Sequence, residues 1–250
     1  MIKNHKNTFA IIQKMCVFYK STITMNLFIN DIPITIRKGE DGPDPGEINH
    51  TIDASKKQIN KADLINHVFI KNVGVTEFDE ILDLVDTPVP LKLISLHLSV
   101  KDKKAIKTYL KKRYKVVHAA GGLIEKKDRY LMIFRMKKWD LPKGKKDPGE
   151  TCRQTAEREV KEECGVDVRV GKKIVTTWHT YTMNKSPMLK RTRWYRMELL
   201  NDSKMKPDER EQIEEIRWMT RKEVYHALEH SYNSIRFVFS KYYDLAGRKV

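Results

Sequence analysis

The sequence predicts an α/β protein built of two modules, and three observations predict it. The chain has 250 residues, enough for one large domain or two small ones. Stretches of two-residue alternation interleave with stretches of helical spacing along its length. Hydrophobic residues make up 40%, slightly under the globular norm, which still supplies a core and excludes global disorder.

Residues 1–24 read as a poorly specified arm. The basic opening and apolar patches invite a signal-peptide reading, but Gln13 and Lys14 split the apolar stretch and no small-residue cleavage site follows. Met25 stands directly before the first convincing strand and is an alternative start. From Met25 to Lys38, "MNLFINDIPITIRK" alternates as two short strands around a turn would, and "GEDGPDPGE" then marks a loop. "HVFIKNV" reads as a strand and "TEFDEILDLVD" as a helix, with Thr76 its expected cap and Pro88 and Pro90 its end. "LKLISLHLSV" is a further strand, and Asp102 is placed to cap the basic helix "KKAIKTYLKKRYK". This first module, residues 25–112, carries no recognisable chemistry, and its aromatic and apolar positions read as core.

The second module, residues 113–250, opens with two apolar strands around the turn "EKKDR", with Gly121 and Gly122 inside the first. After a helix at 149–164 come "KKIVTTWHTYTM", "KRTRWYRMELL" and "IEEIRWMT", each strand-like. The closing "RKEVYHALEHSYNSIRFVFSKYYDLA" repeats apolar residues at helical spacing.

Forty-nine lysines and arginines against 33 aspartates and glutamates give a net charge of +16. Such a field attracts polyanions, among them nucleotides, inositol phosphates, RNA and acidic membranes. Three sparse cysteines, Cys16, Cys152 and Cys164, lack metal-type pair spacing and suggest a reducing cytoplasm. No apolar run approaches membrane-spanning length.

Chemistry concentrates in "GKKDPGETCRQTAEREVKEECGV", residues 144–166. Asp147-Pro148-Gly149 makes a turn, and the run after it is helix-forming until Gly165 ends it. Cys152, Ala156, Val160 and Cys164 recur every four residues as an apolar stripe. Glu159, Glu162 and Glu163, spaced i, i+3 and i+4, share the neighbouring face. A solvated acidic face is the ordinary explanation, with Arg158 and Lys161 partly offsetting the repulsion. Clustered carboxylates are also what Mg²⁺ or Mn²⁺ requires, because these ions favour oxygen ligands.

This stretch resembles the Nudix box at every defining position. A chance match is on the order of one in 10⁹ per starting position, from average residue usage. "AAGGLI", "WDLPKGK", "RWYRM" and "IRWMTRKEV" are similar to other family elements in family order, so the resemblance covers residues 115–240. It implies a Nudix α/β/α sandwich with a mixed sheet, preceded by the small N-terminal module. It also implies a Mg²⁺- or Mn²⁺-dependent hydrolase of a diphosphate linkage. Glu159, Glu162 and Glu163 would ligate the metal with the Gly144 carbonyl, and Glu150 and Arg158 would pair to hold loop to helix. A box glutamate or one from a loop before the last strand would serve as base, and among Glu209, Glu211, Glu214 and Glu215 the expectation falls on Glu211. Arg135, Lys137, Lys143 and Lys145 are the expected phosphate contacts. Trp139 could stack on a base and Trp178, Tyr181, Trp194 and Tyr195 could form a base platform, but a core or edge role for the first and ordinary sheet packing for the others are the favoured readings.

The "LPKGK…PGE" loop is similar to that of diadenosine polyphosphate and diphosphoinositol polyphosphate hydrolases and certain MutT-like enzymes. The expected substrate is a dinucleoside polyphosphate or nucleoside triphosphate. An inositol pyrophosphate or an RNA 5′ end comes second, and a ligand-binding regulator on the same fold is the non-enzyme alternative. Nucleic acid is admitted by charge alone and lacks a recognition motif.

Overall fold

The computed structural model describes residues 24–39, 42–43, 45–87 and 91–247. The expectations for residues 1–23, including Cys16, and for Pro88 and Pro90 lie outside the described residues. The chain divides into two compact units. Of the described residues, one holds those from 24 to 116 and 177–190, the other 117–176 and 191–247. The second module was expected to run unbroken from residue 113, yet the outer part of its long hairpin groups with the N-terminal strands.

In the N-terminal unit, β1 (Met25–Ile29) and β2 (Ile32–Lys38) form a hairpin through Asn30 and Asp31, at φ 49° and 64°. Two positive φ values make this a tight turn whose twist suits the strands, and Asn and Asp tolerate it best. Then follow β3 (His50–Asp53), β4 (Asn66–Val73), α1 (Val75–Val85), β5 (Leu93–Val100) and α2 (Lys103–Arg113). Strands β3, β4, β5 and β2 are parallel neighbours, β1 is antiparallel to β2, and β1 pairs in parallel with residues 177–179. Alternate residues Ile34, Ile36, Val68, Ile70, Leu96 and Leu98 pack on one face with Phe78, Ile81 and Leu82 of α1 and Ile106 and Leu110 of α2. The Asp102 carboxylate caps α2, accepting from the Lys104 and Ala105 N–H groups at 2.7 and 3.2 Å. The expected cap at Thr76 is corrected: the cap position is Gly74, two residues earlier, and α1 starts at Val75. Glu77 reaches back to accept the Gly74 N–H at 2.8 Å, the half of a capping box that the third helical residue supplies.

The other unit begins with β6 (Lys115–Lys126) and β7 (Arg129–Arg135), followed by short β8 (Lys138–Asp140) and β9 (Lys143–Lys145). Helix α3 (Cys152–Cys164), β10 (Asp167–Met183), β11 (Ser186–Asn201) and β12 (Ile213–Thr220) come next, and α4 (Arg221–Glu229) and α5 (Asn233–Leu245) close the chain. The closing helical pattern is thus two helices, separated where Ser231 bridges to Trp139. The strand order is β12-β7-β6-β11-β10. Period-two alternation sends Tyr130 and Met132 of β7 to one face, against Val224, Phe239 and Tyr242 of α4 and α5. It sends Leu131 and Ile133 to the other, against Ala156, Val160 and Cys164 of α3. Helices on both faces of a sheet make the expected α/β/α sandwich. Trp194 joins the α5 face and Tyr195 the α3 face, while Trp178 lies in the core of the N-terminal unit. All three are buried packing residues, in keeping with the sheet-packing reading and not with a base platform. Among the described residues no helix is long and apolar enough to cross a membrane.

Candidate active site

The site is organised by α3 and the short strand β9 before it. Thr151 caps the helix: its hydroxyl accepts the Gln154 N–H at 3.3 Å, and Gln154 accepts the Thr151 N–H at 2.8 Å. Gly165 ends it in the left-handed region at φ 66°, where an added Cβ would meet the Lys204 carbonyl at 2.2 Å. That close approach stitches the segment after β11 onto the helix end. Lys206 N–H donates to the Cys164 carbonyl at 3.1 Å and Asp208 N–H to the Glu163 carbonyl at 3.2 Å. The stitch delivers the turn Glu209–Glu211 to the acidic flank of α3.

Docking the apolar stripe leaves the three glutamates at different depths. Glu163 is 1% exposed. One of its oxygens accepts the Lys143 backbone N–H at 2.8 Å and the other the Arg135 guanidinium at 3.2 Å. Burial pushes its pKa up to about 7, although Lys143 and Arg135 pull the other way. Glu159 lies against Gly144, where an added Cβ would fall 1.9 Å from its Oε2. Burial raises the Glu159 pKa above the usual carboxylate range, and the negative charges of Glu162 and Glu211 add to the rise, with Arg158 opposing. Glu162 and Glu211 are both exposed.

Arg158 is the hub of the loop and helix. Its Nε is 2.7 Å from Glu150, its Nη2 donates to the Lys145 carbonyl at 3.0 Å, and its Nη1 stands 2.8 Å from both Glu159 and Glu162. Glu150 also accepts from the Asp147 N–H at 3.1 Å and the Thr155 hydroxyl at 2.9 Å. The Glu150–Arg158 pair therefore joins β9, the turn and the helix.

The expected three-carboxylate convergence does not take that form here. Among the described residues no three acidic, His or Cys side chains form a ready-made metal cage. The reason is electrostatic: Arg158 draws Glu159 and Glu162, while Arg135 and the Lys143 N–H hold Glu163. The donor set nonetheless fits a hard divalent cation. Every candidate ligand is oxygen, and the four carboxylates of Glu159, Glu162, Glu163 and Glu211 outnumber the three guanidinium groups near them, those of Arg135, Arg158 and Arg210.

Two phosphate-contact expectations also change. The Lys143 ammonium is turned inward to a salt bridge with Asp140, which is 3% exposed, so this lysine presents its backbone to the site. Arg135 is engaged by Glu163. Lys137, in the β7–β8 turn, and Lys145 are exposed. Trp139 is half-buried against Phe134, 5.0 Å between ring centroids, with Arg217 over its ring at 5.2 Å. Tyr181 sits in the hairpin tip, with Lys190 over its ring at 5.1 Å. Asp140 and the 206–208 stitch were missed in the sequence. An acid inside the apolar run "WDLPK", three residues before a lysine, was the available signal for the first.

Residues 115–240 match the family model of the NUDIX domain, half of the chain. The chain belongs to the Nudix family. Nudix hydrolases cleave diphosphate linkages, generally with a divalent metal, so this chain is a pyrophosphohydrolase acting on a phosphorylated small molecule. Solved structures similar to it include a NUDIX hydrolase from Nitrosomonas europaea, at 22% identity and TM-score 0.45, covering 54% of this chain and 92% of that one. An Ap4A hydrolase from C. elegans shows 22% identity and TM-score 0.41 over 52% of this chain and 98% of that one. A MutT NUDIX hydrolase from Burkholderia pseudomallei shows 20% identity and TM-score 0.42, over 51% and 98%. No curated protein matches the chain significantly.

Proposed function

We propose that this Nudix domain hydrolyses a diphosphate linkage in a dinucleoside polyphosphate or nucleoside triphosphate, with Mg²⁺ or Mn²⁺ as cofactor. The observation that carries the reading is the surplus of carboxylate at one flank of α3, where burial and like charge both raise Glu159. Such a surplus is costly unless a cation offsets it. Glu159, Glu162, Glu163 and the Gly144 carbonyl would hold the metal, which when bound would neutralise phosphate charge, orient the diphosphate and acidify water.

The chain's own residues supply the rest. Exposed Lys137 and Lys145 meet the outer phosphates as point charges. Arg135 joins them by exchanging its Glu163 partner for phosphate oxygens, while Lys143, anchored to Asp140, positions Glu163 through its backbone N–H. Glu211 takes the proton of the attacking water as its oxygen bonds to phosphorus, and the bridging P–O bond breaks to release the shorter phosphate. Arg158 keeps the loop on the helix.

A second reading rests on that same arginine. If its contacts with Glu159 and Glu162 persist in the presence of divalent cation, the box is a scaffold and the chain a ligand-binding regulator. The deciding experiment is a substrate panel with Mg²⁺ or Mn²⁺ and product analysis. It covers dinucleoside polyphosphates, nucleoside triphosphates, oxidised dGTP, nucleoside diphosphate sugars, inositol pyrophosphates and triphosphorylated RNA. Turnover led by the first two classes is expected. Preference for inositol pyrophosphate or RNA would replace the proposed substrate, and turnover of nothing would favour the regulator.

A further inference from the structure

The N-terminal unit segregates its charge. Helix α1 carries Glu77, Asp79, Glu80 and Asp83, whereas residues 103–113 of α2 contain no acid at all. The fold uses one cation of α2 to join the two helices: Arg113 reaches Asp79 and Asp83. Six lysines around α2 are left over: Lys101, Lys104, Lys107, Lys111, Lys112 and Lys115. All six are exposed, and among the described residues none has an ion-pair partner. Lys104, Lys107 and Lys111 follow i, i+3, i+7 spacing, which puts them on one strip of the helix about 10 Å long.

We propose that this lysine strip is a docking surface for a nucleic-acid phosphate backbone, read through charge and without base recognition. Lys104 feels the charge of Asp102 at the helix start, but cations without ion-pair partners keep a field that mobile counterions screen and a polyanion displaces. A strip of about 10 Å spans roughly three nucleotides of a strand at 3.4 Å each. An anionic membrane fits less well. A helix lying on a bilayer needs apolar side chains free to enter it, and those of α2, Ile106 and Leu110, are already inside the core at 1% and 0% exposure. An acidic protein surface fits less well too, because the strip offers no aromatic or aliphatic anchor of the kind that dominates protein interfaces.

The test is binding of the full chain to fluorescent 12-nucleotide single-stranded RNA and to 12-base-pair DNA across a salt series. Vesicles of mixed zwitterionic and anionic phospholipid serve as the membrane arm. The K104Q/K107Q/K111Q variant keeps exposed positions and helix-forming side chains, and its circular dichroism checks folding. Expected is affinity at least about tenfold weaker, with the slope of log K against log salt reduced by about 2 for RNA or 2.7 for duplex, three phosphate contacts being lost. An unchanged slope overturns the proposal, as does the absence of nucleic-acid binding by the parent chain. Binding to anionic vesicles alone, lost in the variant, overturns it in favour of a membrane. Each readout is independent of hydrolysis.

Discussion

The backbone N–H of Lys143 donates to the Glu163 carboxylate at 2.8 Å, a bond from strand β9 into the buried side of α3. The Lys143 side chain is meanwhile anchored to Asp140, which holds that N–H in place. Strand and helix thus fix one carboxylate in a water-poor setting before any ligand arrives, the preorganisation that a metal site requires.

Replacing Glu163 by glutamine tests this arrangement. Both carboxylate oxygens accept hydrogen bonds, so an amide must turn its NH₂ toward one of two donors. Mg²⁺-dependent turnover is expected to fall at least about 100-fold while circular dichroism stays that of the parent. Parental turnover at ordinary Mg²⁺ concentrations would remove Glu163 from the site.

Gly144→Ala tests the neighbouring contact. Its Cβ would land 1.9 Å from Glu159 Oε2, so the carboxylate has to move. The Mg²⁺ concentration for half-maximal activity should rise by about 10–100-fold. Gly149→Ala is the control, since φ 81° strains it but its Cβ would meet nothing within 4 Å. There, stability should fall by about 1 kcal/mol with the Mg²⁺ requirement unchanged. Equal Mg²⁺ curves for the two variants would show that the Gly144 approach is not what matters.

Much of α3 was legible because its determinants are local. Gly165 terminates the helix as its sequence position suggested, and Ala156, Val160 and Cys164 are buried as their four-residue spacing required. Asp102 caps α2 for the same reason. What could not be read depends on distant partners. The direction of Lys143 is decided by an acid lying inside an apolar run. The contacts of Arg158 depend on where β9 brings the Lys145 carbonyl and the Glu150 loop. The assignment of residues 177–190 to the N-terminal unit follows from pairing Asn26 with Thr177, a match no local pattern announces. The turn between β7 and β8 has positive φ at Met136 and Lys137, 50° and 62°, with neither glycine nor asparagine to signal it.

Arg158→Lys should cost stability even though charge is kept. A lysine ammonium cannot reproduce the guanidinium fork that reaches Glu150, Glu162 and the Lys145 carbonyl together. A loss of about 1–3 kcal/mol is expected, lowering Tm by about 2–4 °C for each kcal/mol. The pH profile should change too. Arg158 first of all holds Glu150 down to about 2, below its usual 4.5, so the paired form adds stability that is complete above pH 4.5 and is lost toward pH 2. The variant should show a smaller acid-induced loss in that window. A Tm equal to that of the parent, with an identical acid limb, would deny Arg158 its role as a tie.

His97 gives the N-terminal unit a pH dependence of its own. It lies on the sheet face away from α1 and α2, in register with Thr35 and Phe69, and its Nδ1 has no hydrogen-bond partner. Burial lowers its pKa from 6.5 to about 4, and the positive charges of Arg37 and His67 push the same way. The unfolded chain therefore binds the proton more readily between those two values, so stability is complete above about pH 6.5 and declines as pH falls toward 4. The contribution is on the order of 3 kcal/mol at its full extent. Hydrogen exchange of the β5 amides reads it without relying on a single unfolding transition for two units. His97→Phe should flatten the decline between pH 6.5 and 4, because phenylalanine has no proton to bind. A β5 exchange profile as steep in that variant as in the parent would assign the pH dependence to other groups.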